Sequence, residues 1–167
     1  MKFRNYDYKS LINSNSTDII SALFAESYKI IHLAGHGLYD PENPERTGMV
    51  IGNEIFLTPS EIKQMTNVPE LVFVNCCHLG KIEAVDDQLY QQRYQLAANL
   101  GTQLIEIGVK AVVVAGWQVE DVAAKKFAER FYDELFGGLS FGNAVKKARY
   151  EIYDDTNSKN NTWGAYQ

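Results

Sequence analysis

Ile30-Ile31-His32-Leu33-Ala34-Gly35-His36-Gly37 is the first of two stretches that decide the fold, and Leu71-Val72-Phe73-Val74-Asn75-Cys76-Cys77-His78-Leu79-Gly80 is the second. Each begins as an apolar run of strand length, and the pattern predicts that each strand breaks into a loop carrying a reactive side chain. Ligand sites in open α/β sheets gather at the carboxyl ends of strands. A histidine after one strand and a cysteine after the next therefore favour a cysteine hydrolase.

Composition narrows the class of protein. The chain has 167 residues, of which 46% are hydrophobic and 22% charged, and this predicts one compact globular domain with a real core. No stretch approaches the roughly 18 apolar residues of a membrane helix, and the first residues do not form a secretory signal. We therefore expect a cytoplasmic protein that binds no membrane. A net charge of -5 leaves no basic stripe for nucleic acid.

Strands alternate with helices along the rest of the chain. The pattern predicts a helix over 17–26 capped by Ser16 or Thr17, and then a strand over 28–34 that is buried on both faces. A loop over 35–47 and a hairpin over 49–57 follow, and Thr58 opens a helix with a capping box. The later elements are a strand over 71–75, a loop over 81–93, a helix ending at Gly108, a strand over 109–115, a helix over 120–136 and a last helix capped by Ser140. This order predicts an α/β fold with a mostly parallel central sheet and helices on both faces.

Four blocks of this sequence resemble a known family. They are His32-Leu33-Ala34-Gly35-His36-Gly37, Asn75-Cys76-Cys77-His78-Leu79-Gly80, the run from Gly108 to Trp117, and Ser140-Phe141-Gly142-Asn143-Ala144-Val145 with Ala148-Arg149. Together they resemble the CHAT domain, a bacterial branch of the caspase-like cysteine peptidases, the clan of separase, gingipain and the caspases. The resemblance covers roughly residues 28 to 167 and implies a caspase-like three-layer sandwich, with no metal and no organic cofactor.

The sequence also departs from its relatives. Caspases place a glycine two residues after the nucleophile, whereas His78 and Leu79 intervene here before Gly80, which fits the CHAT branch better. In that branch an alanine precedes the nucleophile, so Cys76 takes the alanine position and Cys77 the nucleophile position. The family's last block begins near Thr162 and normally continues into a final strand. We therefore expect residues 1–167 to be a single peptidase domain, cut before its last strand from a larger protein.

The resemblance assigns the catalytic roles. Cys77 is the expected nucleophile, since a thiolate can attack a peptide carbonyl, and His36 is the expected general acid and base. The backbone N–H groups of Gly37 and Cys77 would stabilise the oxyanion. The structural alternatives are a buried cysteine and a plain His-Gly turn. Cys76 is expected to pack in the core, because neighbouring residues of a strand point to opposite faces.

Three further residues are candidates for the substrate pocket, namely Trp117, Glu120 and Asp121. In relatives, the strand ending at this tryptophan and the loop beyond it flank the pocket for the residue before the cleaved bond. Separase has an aspartate directly after the tryptophan, whereas Gln118 stands here, so a preference for basic side chains is not supported. Asp121 has an alternative role as the cap of the following helix.

A metal site is the main chemical alternative, because three histidines and two cysteines lie in these two stretches. Adjacent cysteines at a strand end cannot readily face one ion, and His32 and His36 are roughly 13 Å apart along a strand. His32 is instead expected to be a core histidine. The two adjacent cysteines are also not expected to form a disulfide, because such a bond between neighbours is strained.

The sequence as a whole predicts a cysteine endopeptidase that cleaves protein substrates. The resemblance further implies gating by a partner, either a regulatory helical-repeat domain or a separate activator. Two rivals stay open at this point. One is a binding or signalling module that keeps the fold without turnover, and the other is a different thiol enzyme, an acyltransferase or amidase.

Overall fold

The computed structural model describes residues 6–40, 42–43, 46–52, 55–78, 87–117, 119–155 and 161–167, and for residues 77–78 and 87–94 it describes the backbone alone. Contacts divide the chain into two compact units. The first comprises residues 15–118 with Gln167, and the second comprises residues 119–166 with the segment up to Ser14. Among the described residues, the first unit holds the sheet and three helices, and the second holds two helices and a short 3-10 turn.

In the described part of the chain the sheet has five strands, of which three are parallel. They are β1 Ile30–Leu38, β2 Gly48–Gly52, β3 Ile55–Leu57, β4 Leu71–His78 and β5 Ala111–Val114. Their spatial order is β3-β2-β1-β4-β5. β1, β4 and β5 pair in parallel, whereas β2 and β3 form the expected antiparallel hairpin beside β1. The sheet is therefore mostly, although not wholly, parallel, as the sequence predicts.

Strands β1 and β4 are both longer than their apolar runs. β1 does not end at Ala34 but continues to Leu38, and β4 does not end at Asn75 but continues to His78. β1 is extended because Gly37 pairs with Met49 of β2 and with His78 of β4, and the pairing with β1 also extends β4. The prediction of reactive side chains in loops is therefore wrong, since both stretches carry them on paired strand ends.

The prediction that β1 is buried on both faces is also wrong. Ile31 and Gly37 are buried, whereas His32, Ala34 and His36 are exposed. The buried face of the sheet contributes Val72, Val74 and Cys76 to a core that includes Leu96, Leu100 and Leu104. One face of β1 thus belongs to the core, and the other presents the histidines.

The helices of the first unit are α1 Ser16–Ala25, α2 Pro59–Ile62 and α3 Asp87–Glu106. Neither Ser16 nor Thr17 caps α1, because Asn15 is the cap and its Oδ1 accepts a hydrogen bond of 2.9 Å from the Asp18 N–H. The capping box at Thr58 is confirmed. Residues 87–93, expected in a loop, are helical and open α3. Residues 79–86, the rest of that expected loop and its approach, lie outside the described part of the chain.

The second unit contains α4 Asp121–Phe136, α5 Phe141–Asp155 and a 3-10 turn at Thr162–Gly164. Its core is aromatic and fully buried: the ring of Phe127 stacks on Tyr166 with centroids 3.8 Å apart, and Phe131 lies one turn further along α4. α4 ends as predicted at two glycines, and Gly138 adopts a φ of 94° that L side chains avoid. Among the described helices, none has the length and apolarity to cross a membrane.

Candidate active site

The two residues expected to form the dyad occupy matched positions on neighbouring strands. His36 of β1 and Cys77 of β4 are direct partners in the parallel register. Adjacent strands lie about 4.8 Å apart, so their backbones are close at this point. Alternation along β4 places position 77 on the opposite face from Cys76. The sheet therefore brings together the backbones of the two predicted catalytic residues.

His36 lies on the exposed face of β1, two residues beyond Ala34, which is also exposed. No hydrogen bond from a described side chain orients its imidazole ring. The sequence likewise indicates no third catalytic residue that would orient this histidine. The ring is thus accessible both to solvent and to a ligand that lies over this end of the sheet.

Cys76 is a core residue, as predicted. Its side chain is 7% exposed and belongs to the cluster that packs between the sheet and α3. A Cβ built on Gly37 would lie 3.5 Å from the Cys76 Sγ, so the thiol fills the space beside that glycine. Burial of this kind keeps the Cys76 thiol away from any substrate above the opposite face.

His32 is not the core histidine that we predicted, because it is exposed. One flat side of its ring nevertheless stacks on Phe73, with centroids 4.6 Å apart and an angle of 6° between the planes. Loss of solvent around the ring lowers the pKa of His32 below its ordinary value. This lowered pKa favours the neutral ring, and the position is roughly 13 Å along the strand from His36.

The family comparison agrees with this arrangement of strands. The family model named CHAT domain matches residues 5–167, which is nearly the whole chain. This chain belongs to the CHAT domain family. The family is related to the caspase-like peptidases, so the fold is a caspase-like α/β sandwich and the chain is of a peptidase-related class. No curated protein matches the sequence.

Asn75 is a polar residue of this CHAT domain that the sequence analysis did not single out. It pairs with Ala34 in the register and lies two residues before Cys77 on β4. Its Oδ1 is buried and has no hydrogen-bond partner among the described residues. The sequence did contain a signal, since an asparagine that directly follows four apolar residues of a strand is expected to be buried and therefore to need a hydrogen-bond partner.

Trp117, a predicted pocket residue, follows the end of β5 and is partly buried. Its Nε1–H is buried, and within the described part of the chain nothing accepts its proton. The Ala115 N–H donates to the Val74 carbonyl at 3.1 Å, which places Ala115 beside Asn75 and Trp117 two residues further on. The CHAT domain thus carries a buried donor and a buried acceptor near the strand ends.

Glu120 and Asp121 belong to the second unit of the CHAT domain. Asp121 is not the helix cap, because α4 has Glu120 at that position, without a side-chain capping bond, and Asp121 is its first helical residue. A negative charge at this position interacts favourably with the positive end of the helix dipole and stabilises the helix. A role of either residue in the substrate pocket stays a prediction, as does donation to an oxyanion by the Gly37 and Cys77 N–H groups.

A metal site would have to use the same residues. In the part of the chain that the structure describes, no three His, Cys, Asp or Glu side chains are close enough to hold an ion. The side chains of Cys77 and His78 lie outside that part. The expectation of a site without metal or cofactor therefore stays a prediction.

Proposed function

We propose that this CHAT domain is a cysteine endopeptidase with a dyad of His36 and Cys77. The observation that carries the proposal is the register, because His36 and Cys77 are direct partners on parallel strands. Exposure of His36 and burial of Cys76 support it, since the His36 ring is accessible and the Cys76 side chain is withdrawn into the core. Membership of a peptidase-related family makes this the preferred class of reaction.

The reaction would proceed through an acyl-enzyme. The Cys77 thiolate forms a bond to the substrate carbonyl carbon, and the Gly37 and Cys77 N–H groups stabilise the oxyanion. His36 protonates the leaving amine as the C–N bond breaks. Water then attacks the thioester, His36 takes a proton from that water, and the carboxylic acid product leaves as the Cys77 thiolate re-forms beside protonated His36.

The substrates would be proteins, and Trp117, which lies in the same unit as the dyad, would contribute to the pocket. We further propose that a partner gates the activity, either a neighbouring helical-repeat domain or a separate activator.

The decisive experiment measures how fast iodoacetamide alkylates Cys77 between pH 5 and 9, in the natural chain and in His36→Ala. Mass-spectrometric fragmentation separates Cys76 from Cys77, and Cys76→Ala removes any overlap. We expect Cys77 to react much faster than Cys76 and to slow about tenfold or more in His36→Ala, since a paired histidine lowers a thiol pKa. The matched control is His32→Ala, which should leave the Cys77 rate unchanged.

Equal and slow rates at both cysteines, independent of His36, would contradict the dyad. That outcome would favour the rival interpretation, a caspase-like binding or signalling module without turnover. A defined internal cut in a protein substrate, lost in Cys77→Ala, would in turn separate an endopeptidase from an acyltransferase or amidase.

A further inference from the structure

Three apolar side chains lie on the same face of the sheet as His36 and are not used by the dyad. Leu38, Val50 and Phe56 are only partly buried, and none of them belongs to the core cluster of the described residues. Successive side chains of a strand point to opposite faces. The neighbours of Val50 and Phe56 along their strands belong to that core, namely Met49 and Leu57.

The register of the hairpin aligns this apolar patch of Leu38, Val50 and Phe56 with His36. Gly37 pairs with Met49 of β2, so the next position of the antiparallel register places Val50 opposite His36. Val50 in turn pairs with Phe56 of β3. Since adjacent strands are about 4.8 Å apart, the patch begins one strand away from the histidine and extends outward from it.

The order of the strands indicates which part of a substrate would meet the patch. β4 carries position 77, β1 beside it carries His36, and β2 and β3 follow on the far side of β1. β5, with Trp117 after its end, lies on the other side of β4. In the proposed reaction His36 protonates the leaving amine, so the substrate residue that supplies this amine must lie on the His36 side.

We propose that Leu38, Val50 and Phe56 form the subsite for the side chain directly after the cleaved bond, and that this subsite selects large apolar side chains. This inference rests on the proposed function. The patch has no polar side-chain atom, so an ammonium or carboxylate group placed there would lose water without gaining a partner. A leucine or phenylalanine side chain would instead remove apolar surface from water, which is favourable.

Access to this subsite does not require a closed cavity. Val50 and Phe56 each keep part of their surface open to solvent, and His36 beside them is exposed. A substrate side chain can therefore lie across the patch. Because an open surface covers only one side of that side chain, we expect a preference of about fivefold, at the low end of what burying an apolar side chain can supply.

The test uses N-chloroacetyl amino acid amides, in which the amino acid stands for the residue after the cleaved bond. The Cys77 sulfur forms a bond to the methylene carbon as the carbon–chlorine bond breaks, chloride leaves with the electron pair, and His36 takes the thiol proton. Mass spectrometry measures the labelling rate of Cys77, and division by the rate with glutathione removes differences in intrinsic reactivity. We expect the leucine and phenylalanine probes to react at least about fivefold faster than the glycine probe. The glutamate and lysine probes should react no faster than glycine.

Two variants connect the preference to the patch. Phe56→Ala should reduce the preference for leucine over glycine at least about threefold, because it removes most of the apolar surface on β3. Val50→Lys should make the glutamate probe at least about threefold faster than the lysine probe, because the new ammonium group attracts a carboxylate. The matched controls are Ile55→Ala and Ile55→Lys, since Ile55 is an exposed apolar residue beside Phe56 whose side chain points to the other face. Neither control should change the preferences, and circular dichroism checks that each variant is folded.

The outcomes separate this inference from the proposed function. If iodoacetamide alkylation of Cys77 does not depend on His36, the dyad fails and the subsite fails with it. If that dependence is present but Cys77 reacts equally with all five probes, prefers glycine or a charged side chain, or reacts with none, the subsite alone is overturned. Unchanged preferences in both Phe56→Ala and Val50→Lys, or equal changes in the Ile55 controls, would overturn it as well.

Discussion

Replacing Gly37 with alanine should destabilise the protein, because Gly37 lies directly against a buried side chain of α3. A Cβ built on Gly37 would lie 2.5 Å from the Leu96 Cδ2 and 3.4 Å from the Cys76 Cβ. Carbon atoms in favourable contact are about 3.5–4.0 Å apart, so Leu96 would have to move by about 1 Å. Leu96 is only 2% exposed and packed on several sides, so it has little space for that movement.

The size of the effect follows from two opposing contributions. Overpacking a dense core costs typically about 1–3 kcal/mol. Replacing glycine by alanine also restricts the unfolded chain, which stabilises by about 0.4–1 kcal/mol. We expect a net loss of about 1–2 kcal/mol. For a chain of this length, that loss corresponds to a fall in Tm of about 2–8 °C.

Gly35→Ala is the matched control, since it lies two residues earlier on the same face of the same strand. Its Cβ would meet the Met49 Cε at 2.8 Å, the free end of a flexible side chain that can move aside. We expect a free energy of unfolding within about 0.5 kcal/mol of the natural chain. The comparison isolates the rigid Leu96 contact from the general effect of losing a strand glycine.

Urea unfolding followed by circular dichroism measures the stability of the natural chain, Gly35→Ala, Gly37→Ala, Leu96→Ala and the double variant Gly37→Ala with Leu96→Ala. Leu96→Ala alone should cost about 2–5 kcal/mol by leaving a cavity. In the double variant the new methyl group occupies part of that cavity. The stability lost in the double variant should therefore be smaller than the sum of the two single losses by about 0.5 kcal/mol or more. A stable Gly37→Ala, or losses that simply add, would refute the close approach of β1 to α3.

Two further predictions concern stability away from the site. Asn15→Ala should destabilise the protein by about 1 kcal/mol, because it removes the cap of α1. The control Ser16→Ala should change the stability by less than about 0.5 kcal/mol. Equal losses for the two variants in urea unfolding would contradict Asn15 as the cap. Burial raises the pKa of Tyr132 above its ordinary value of 10.0, so the unfolded chain releases this proton at a lower pH than the folded protein does. Stability should therefore fall as the pH rises above about 10, and Tyr132→Phe should reduce that slope by up to about 1.4 kcal/mol per pH unit; identical slopes between pH 9 and 11 would count against a buried phenol.

The helices of the second unit could be predicted closely from the sequence. Ala124, Phe127 and Phe131 recur at helical spacing, and all three are buried in α4. The end of that helix was also predictable, because a glycine pair after an amphipathic run is a local signal. Such features depend on residues near in sequence, so no knowledge of the partner elements is required.

The strand ends could not be predicted in the same way. The stretch from Gly35 to Gly37 has low strand propensity and reads as a loop. It is nevertheless a strand because β2 and β4 pair with it from both sides. The first turns of α3 were missed for a related reason, since residues 87–93 are polar and lack the apolar repeat that marks a packed helix.

The longer strands matter for the proposed site, because they make its geometry a property of the sheet rather than of two loops. In β1 the odd positions 31 and 37 are buried and the even positions 32 and 36 are exposed. In β4 the buried core position is 76, which leaves position 77 opposite His36. A shift of one residue would exchange the faces of the two cysteines. The register therefore distinguishes two adjacent and chemically identical residues, and it gives the pairing with His36 to Cys77.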